Sequence, residues 1–227
     1  KSSGGDWTNG EVDKSRAWVL ANYLERDRTR SDLSWEDAIE VLTRIVEAGD
    51  YEVWHADVLA NAVKVTRSVH DVSSGGPIPC AVLGNLVKDK ANNPLAWLAR
   101  FRFAKRHGGC PDIDPEQDLA AALQLVEHAP NREAARVFYV AAEDCMQNQD
   151  VDGAEAYLLR AIESDKTAYL PYLTLARLYR DQNDERSHQQ AIEVLQSGYE
   201  TILADQYRRE LRLLVPLTSL LCVAGEF

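Results

Sequence analysis

The chain has no apolar run near the roughly 20 residues that a membrane-spanning helix needs, so no membrane span is expected within it. Basic residues are short as well: 25 Lys and Arg stand against 36 Asp and Glu, for a net charge of −11. That balance argues against nucleic acid as the main partner, because phosphate binding requires a basic face. Cysteine is sparse. Cys80, Cys110, Cys145 and Cys222 lie far apart and match no metal or disulfide spacing, so a reduced, packing role is expected of them.

Motifs for catalysis are missing too. His107-Gly-Gly-Cys110 with Asp112 has no third ligand at a sensible spacing, and a helix ending at Gly108-Gly109 explains the same letters. His55, His70, His128 and His188 are scattered, and no serine or cysteine sits in an activating motif. Gly75-Gly76-Pro77 lacks the lysine and preceding strand of a phosphate loop. The chain is therefore expected not to be an enzyme and to hold no cofactor or metal.

What is present is helical periodicity. Apolar residues recur at three- and four-residue spacing through about eleven segments. The first segment runs from near Asp13 to Arg28, and residues 1–12 read as a flexible leader. The second opens at Ser34-Trp-Glu-Asp37 and closes at Gly49; the third covers about Glu52 to Val69. The fourth is Pro79–Lys88, and the fifth follows Asn93-Pro94, an N-cap followed by a proline that suits a first helical turn. Pro115 starts the sixth. The eleventh, about Gln206 to Val223, contains Pro216.

Two of these segments echo each other. Phe138-x2-Ala141-Ala142-x2-Cys145 returns as Tyr172-x2-Leu175-Ala176-x2-Tyr179, 34 residues on (172 − 138 and 176 − 142). The following signature, Ala154-x3-Leu158-x2-Ala161, returns as Ala191-x3-Leu195-x2-Gly198 after 37 residues (191 − 154). The three extra residues are expected in the Asp184–Ser187 turn. A unit of this length implies stacked, like-shaped hairpins. The array is expected to be cut mid-repeat at its C-terminus, where the apolar last helix has no partner and offers a surface for self-association.

The pattern resembles the tetratricopeptide repeat, W-x2-L-G-x2-Y on one helix and A-x3-F on the next. The match is specific over about 131–200, fair over 93–129 and weaker before that, and the proline that closes the family unit is absent. The resemblance implies an all-α, right-handed α-solenoid of antiparallel helix hairpins over 13–227, irregular over 13–92 and regular over 93–227. It also implies a concave groove lined by the first helix of each hairpin, in which a partner's segment docks.

Carried over, that geometry assigns Leu95, Leu98, Ala99, Arg102, Lys105 and Arg106 to the inner face of one helix. The next first helix gives Arg136, Tyr139, Val140, Glu143 and Gln147, and the one after gives Leu173, Thr174, Arg177, Arg180 and Asp181, with Arg212 beyond. The set is basic in an acidic protein. The expected partner-binding residues are Arg102, Lys105, Arg106, Arg136, Tyr139, Arg177 and Arg180, selecting a protein or peptide with an acidic segment or free carboxylate. The plainer reading is that these charges make ordinary surface pairs. The family slots that clamp a carboxyl-terminal peptide hold Leu98, Arg102, Tyr139 and Glu143 here, which sets that ligand aside.

The tryptophans at 18, 35, 54 and 97 fall at helical spacing among apolar residues and are expected to pack rather than stack on a ligand. The functional expectation is a non-catalytic interaction scaffold, the alternative an accessory module of a larger enzyme or secretion complex. The compartment stays open, with the cytoplasm favoured.

Overall fold

The computed structural model describes residues 35–49, 51–66, 79–107 and 113–203. Among them every regular element is a helix: α1 (Trp35–Glu47), α2 (Val53–Thr66), α3 (Pro79–Asp89), α4 (Pro94–His107), α5 (Pro115–Leu125), a 3₁₀ turn (Val126–His128), α6 (Asn131–Gln147), α7 (Val151–Ser164), α8 (Tyr169–Arg180) and α9 (Glu185–Leu203). These correspond to the second through tenth predicted segments. The first and eleventh, the leader, and the expected self-association surface lie outside the described residues.

Two compact units divide between Ala121 and Ala122, within α5. In the first, α1 packs on α2, α2 on α3, and α4 on both α2 and α3. Leu42, Ala56, Leu59, Leu83 and Leu86 are each at most 1% exposed and form the centre of this core, joined by Phe103. The punctuation is that expected from the sequence. Gly49 takes φ +75° after α1, a left-handed geometry that costs glycine nothing. Asn93 Oδ1 accepts the Leu95 N–H at 2.8 Å, so Asn93 caps α4. Asp114 Oδ1 does the same for Glu116 N–H at 3.0 Å, opening α5 at Pro115.

In the second unit α6 and α7 form one hairpin and α8 and α9 the next, with α7 against α8. The small repeat residues Ala142, Ala154, Ala161, Ala176 and Ala191 are buried beside Leu158, Leu175 and Leu195, so the helices can approach closely. Gly198 is pressed against the buried ring of Tyr172.

The repeat extends to the backbone. Gln149 and Asn183, equivalent positions in the two hairpin turns, both take positive φ (62° and 58°). Asp150 and Asp184 follow them, and each accepts a backbone N–H three residues on at 3.0 Å, from Gly153 and Ser187. The three inserted residues therefore do not form an extra loop. They follow the cap, and α9 begins at Glu185 with 19 residues where α7 has 14. The second carboxylate oxygen of Asp184 also accepts the Ser187 hydroxyl at 2.6 Å.

One expectation is overturned. Cys80 is disulfide-bonded, not a reduced packing residue, and its partner lies outside the described residues. Linear spacing could not show this, because hairpin geometry decides which cysteines meet. Cys145 is a free, half-buried thiol packed on the second core. Burial, and then the Asp150 carboxylate, raise its pKa.

Candidate functional site

The expected docking residues fall in both units, and each unit is described by itself. In the second, α6 and α8 are the first helices of successive hairpins. Tyr139 on α6 is half-buried, and its Oη lies 3.4 Å from Oγ1 of Thr174 on α8. Burial raises the Tyr139 phenol pKa, and the Glu143 carboxylate adds to the rise. The Thr174 hydroxyl and the Arg177 guanidinium act the other way. The Tyr139 phenol thus lies within electrostatic reach of an acid from its own helix and a cation from the next. Arg136 and Arg177 are exposed on the same two helices.

Several of the expected charges are already engaged within the chain. Arg180 Nη2 lies 2.9 Å from Oδ1 of its neighbour Asp181, with both side chains more than half exposed. Solvent screening leaves such a pair worth little. Val140 is 5% and Thr174 7% exposed, so they belong to packing more than to a surface.

In the first unit, Lys105 Nζ lies 3.0 Å from Glu116 Oε1 and 5.7 Å from the Phe101 ring centroid. Arg106 Nη1 donates to Asn61 Oδ1 on α2 at 3.4 Å, and His107 Nε2 is 3.2 Å from the same oxygen. Asn61 is held in that orientation by its amide, which donates to the Asp57 carbonyl and carboxylate at 2.8 and 2.9 Å. The end of α4 is thereby tied to α2. Arg102 is half-buried, whereas Leu98 and Ala99 are 2% and 5% exposed and pack internally. The inner-face assignment fails for those two because a small or branched apolar side chain at those slots fills the space between helices. Arg212 lies outside the described residues.

Two interactions carried no sequence signal. Arg100 grips Asp118 with Nε and Nη2 at 2.8 and 2.5 Å, and the Asp118 side chain is 1% exposed. The same guanidinium lies 5.1 Å from the Trp97 ring centroid. Trp97 Nε1 donates to the Ala91 carbonyl at 2.9 Å, and Trp54 packs against the first core and stacks on His55 at 3.7 Å. These two tryptophans are structural contacts. Trp18 and the Trp35 side chain lie outside what is described. Among the described residues no three His, Cys, Asp or Glu side chains converge in a way that would hold a metal ion, and no helix is long and apolar enough to cross a membrane.

Solved structures resemble this arrangement along most of the chain. It is similar to TTC0263, a thermophilic TPR protein of Thermus thermophilus, at 17% identity, covering 94% of this chain and 99% of that one with a TM-score of 0.54. The fold is tetratricopeptide-like. A second likeness is to the human IFIT1 dimer with PPP-AAAA, at 16% identity and TM-score 0.51, covering 96% of this chain and 47% of that one. No family model matches the chain, and no curated protein sequence matches it. The tetratricopeptide-like fold accounts for the buried small residues and for the paired first helices that carry Tyr139 and Arg177.

Proposed function

We propose that this chain is a non-catalytic interaction scaffold that docks a protein segment on the first-helix face of its second unit. Residues 13–227 would belong to one array of hairpins. The observation that carries the reading is the meeting of Tyr139 with α8, half-buried and within electrostatic reach of Arg177. Tyrosine and arginine are among the residues that dominate binding energy in protein interfaces. Arg177 and Arg136 on this face, and Arg102 and Arg106 in the first unit, would select a partner segment rich in carboxylates.

The IFIT1 structures hold a triphosphorylated or capped oligonucleotide. A net charge of −11 weighs against that ligand class here. The test is a panel of immobilised acidic, neutral and basic peptides together with single-stranded RNA. Acidic peptides are expected to be retained, and Arg177→Glu or Tyr139→Ala to reduce retention by about tenfold or more, the loss of one good anchor. Helical content should not change. Retention unaffected by either substitution would refute the assignment, and salt-sensitive RNA binding would replace the partner class.

A further inference from the structure

On α8, Leu170, Leu173 and Arg177 recur at spacings of three and four and so share one stripe of the helix. Leu170 is 43% exposed, and Arg177 is exposed two turns further along. Leu173 and Tyr139 are both partly buried and pack against the second core. Helices α6, α7 and α8 are joined by short links and packed in turn, so α6 and α8 run parallel. Tyr139 meets α8 at Thr174, which lies between Leu170 and Arg177. An open leucine alone means little. Leu159 on α7 is as exposed, but it has Glu155 and Glu163 four residues to either side. Leu170 instead shares its stripe with an arginine, which suits an acidic segment that also carries an apolar side chain.

We infer that this stripe selects a partner segment with an apolar side chain and a carboxylate three residues apart, the first against Leu170 and Leu173 and the second on Arg177. The inference rests on the docking reading above and adds the spacing to it. Seven residues of helix rise by about 10.5 Å. Helical side chains lean toward the N-terminus, a long arginine furthest, which brings the two contacts somewhat closer than that. A β-strand presents residues on one side at separations of about 7 or 13 Å. A polyproline-II segment presents residues three apart on one side at about 9 Å, so that form matches the stripe. The guanidinium of Arg177 can take the carboxylate through two parallel hydrogen bonds. Tyr139 lies level with the two residues between.

The test is fluorescence anisotropy with three labelled peptides in a proline- and serine-rich background. One carries Leu-x-x-Glu, one has the same composition with Leu next to Glu, and one has Ser in place of Leu. The spaced peptide is expected to bind about tenfold more tightly than the other two, the effect of covering one leucine. Leu170→Ser should bring it down to the affinity of the leucine-free peptide, Leu159→Ser should change nothing, and Arg177→Glu should weaken all three. The peptide comparison is made on the unaltered chain, so it decides the matter whatever the stability of the variants. Equal affinities, or an advantage of the spaced peptide that survives Leu170→Ser, overturn the inference and leave the docking reading standing. Binding of none of the peptides, or binding untouched by Arg177→Glu, overturns both.

Discussion

Replacing Gly198 by alanine tests the packing logic of the repeat, because two opposing effects act on one methyl group. In a helix interior the change should stabilise by about 1 kcal/mol through propensity alone. A β-carbon at 198, however, would stand 2.8 Å from Cδ1 and Cγ of Tyr172 and 3.2 Å from its Cβ. Carbon atoms rest at roughly 3.5–4.0 Å, so the ring would have to move by about 0.7 Å. Tyr172 is 3% exposed and its hydroxyl reaches the Lys166 carbonyl at 3.3 Å, which hold it from both sides. Overpacking of this kind costs about 1–3 kcal/mol, and the upper part of that range applies to a ring so confined. The net expectation is a loss of about 1–2 kcal/mol. Gly84, in α3, is the control: nothing lies within 4 Å of an added β-carbon, so Gly84→Ala should gain about 0.5–1 kcal/mol. Urea unfolding followed by circular dichroism measures both. If Gly198→Ala raised the midpoint as Gly84→Ala does, the close approach of α8 and α9 would be wrong.

Asp118→Ala leaves the Arg100 guanidinium without its bidentate partner, and should cost about 3 kcal/mol, read as a lower denaturation midpoint of the first unit. Gln149→Gly places a residue with no β-carbon at a φ of 62°, and should stabilise the α6–α7 turn by roughly 0.5–1 kcal/mol in the same assay. Burial first, and then the hydrogen bond to Glu155 at 2.6 Å, hold the Tyr179 phenol well above its ordinary value of 10.0. The unfolded chain therefore loses that proton first, and the contribution is complete below pH 10 and declines above it, by up to about 1.4 kcal/mol per pH unit. Tyr179→Phe should flatten the fall of stability above pH 10 without abolishing it, since Tyr51, Tyr139 and Tyr172 are raised as well. Equal slopes for variant and wild type would contradict the Tyr179 environment.

Much of this fold is legible in the residues because the repeat imposes itself at every level. The Ala142 and Ala176 echo marks the close helix contacts, and the Asp150 and Asp184 echo marks the caps. The repeat spacing reveals the three added residues but suggests a turn at Asp184–Ser187, whereas they follow that cap inside the longer helix α9. Leu98, Ala99 and Val140 read as surface positions because helical spacing cannot separate a groove face from an inter-helix face when both are apolar. Nothing in the sequence pairs Arg100 with Asp118, 18 positions apart, and only the folded chain shows that they meet. Cys80 misleads for a like reason, since linear spacing does not tell which cysteines meet. The candidate site is half legible: the residues of the first-helix faces can be named, but not that Asn61, Glu116 and Asp181 engage three of the charges.

The central claim is that a partner segment lies on the face carrying Tyr139 and Arg177. Site-specific photo-cross-linking in cells addresses it directly, with a photoreactive amino acid placed at position 139 or, on α7, in place of Leu159, which is 49% exposed. The account predicts cross-links from 139 to an acid-rich segment of another protein, lost on Arg177→Glu, and none from 159. Cross-links from 159 alone, or cross-links from 139 that survive Arg177→Glu, would contradict it.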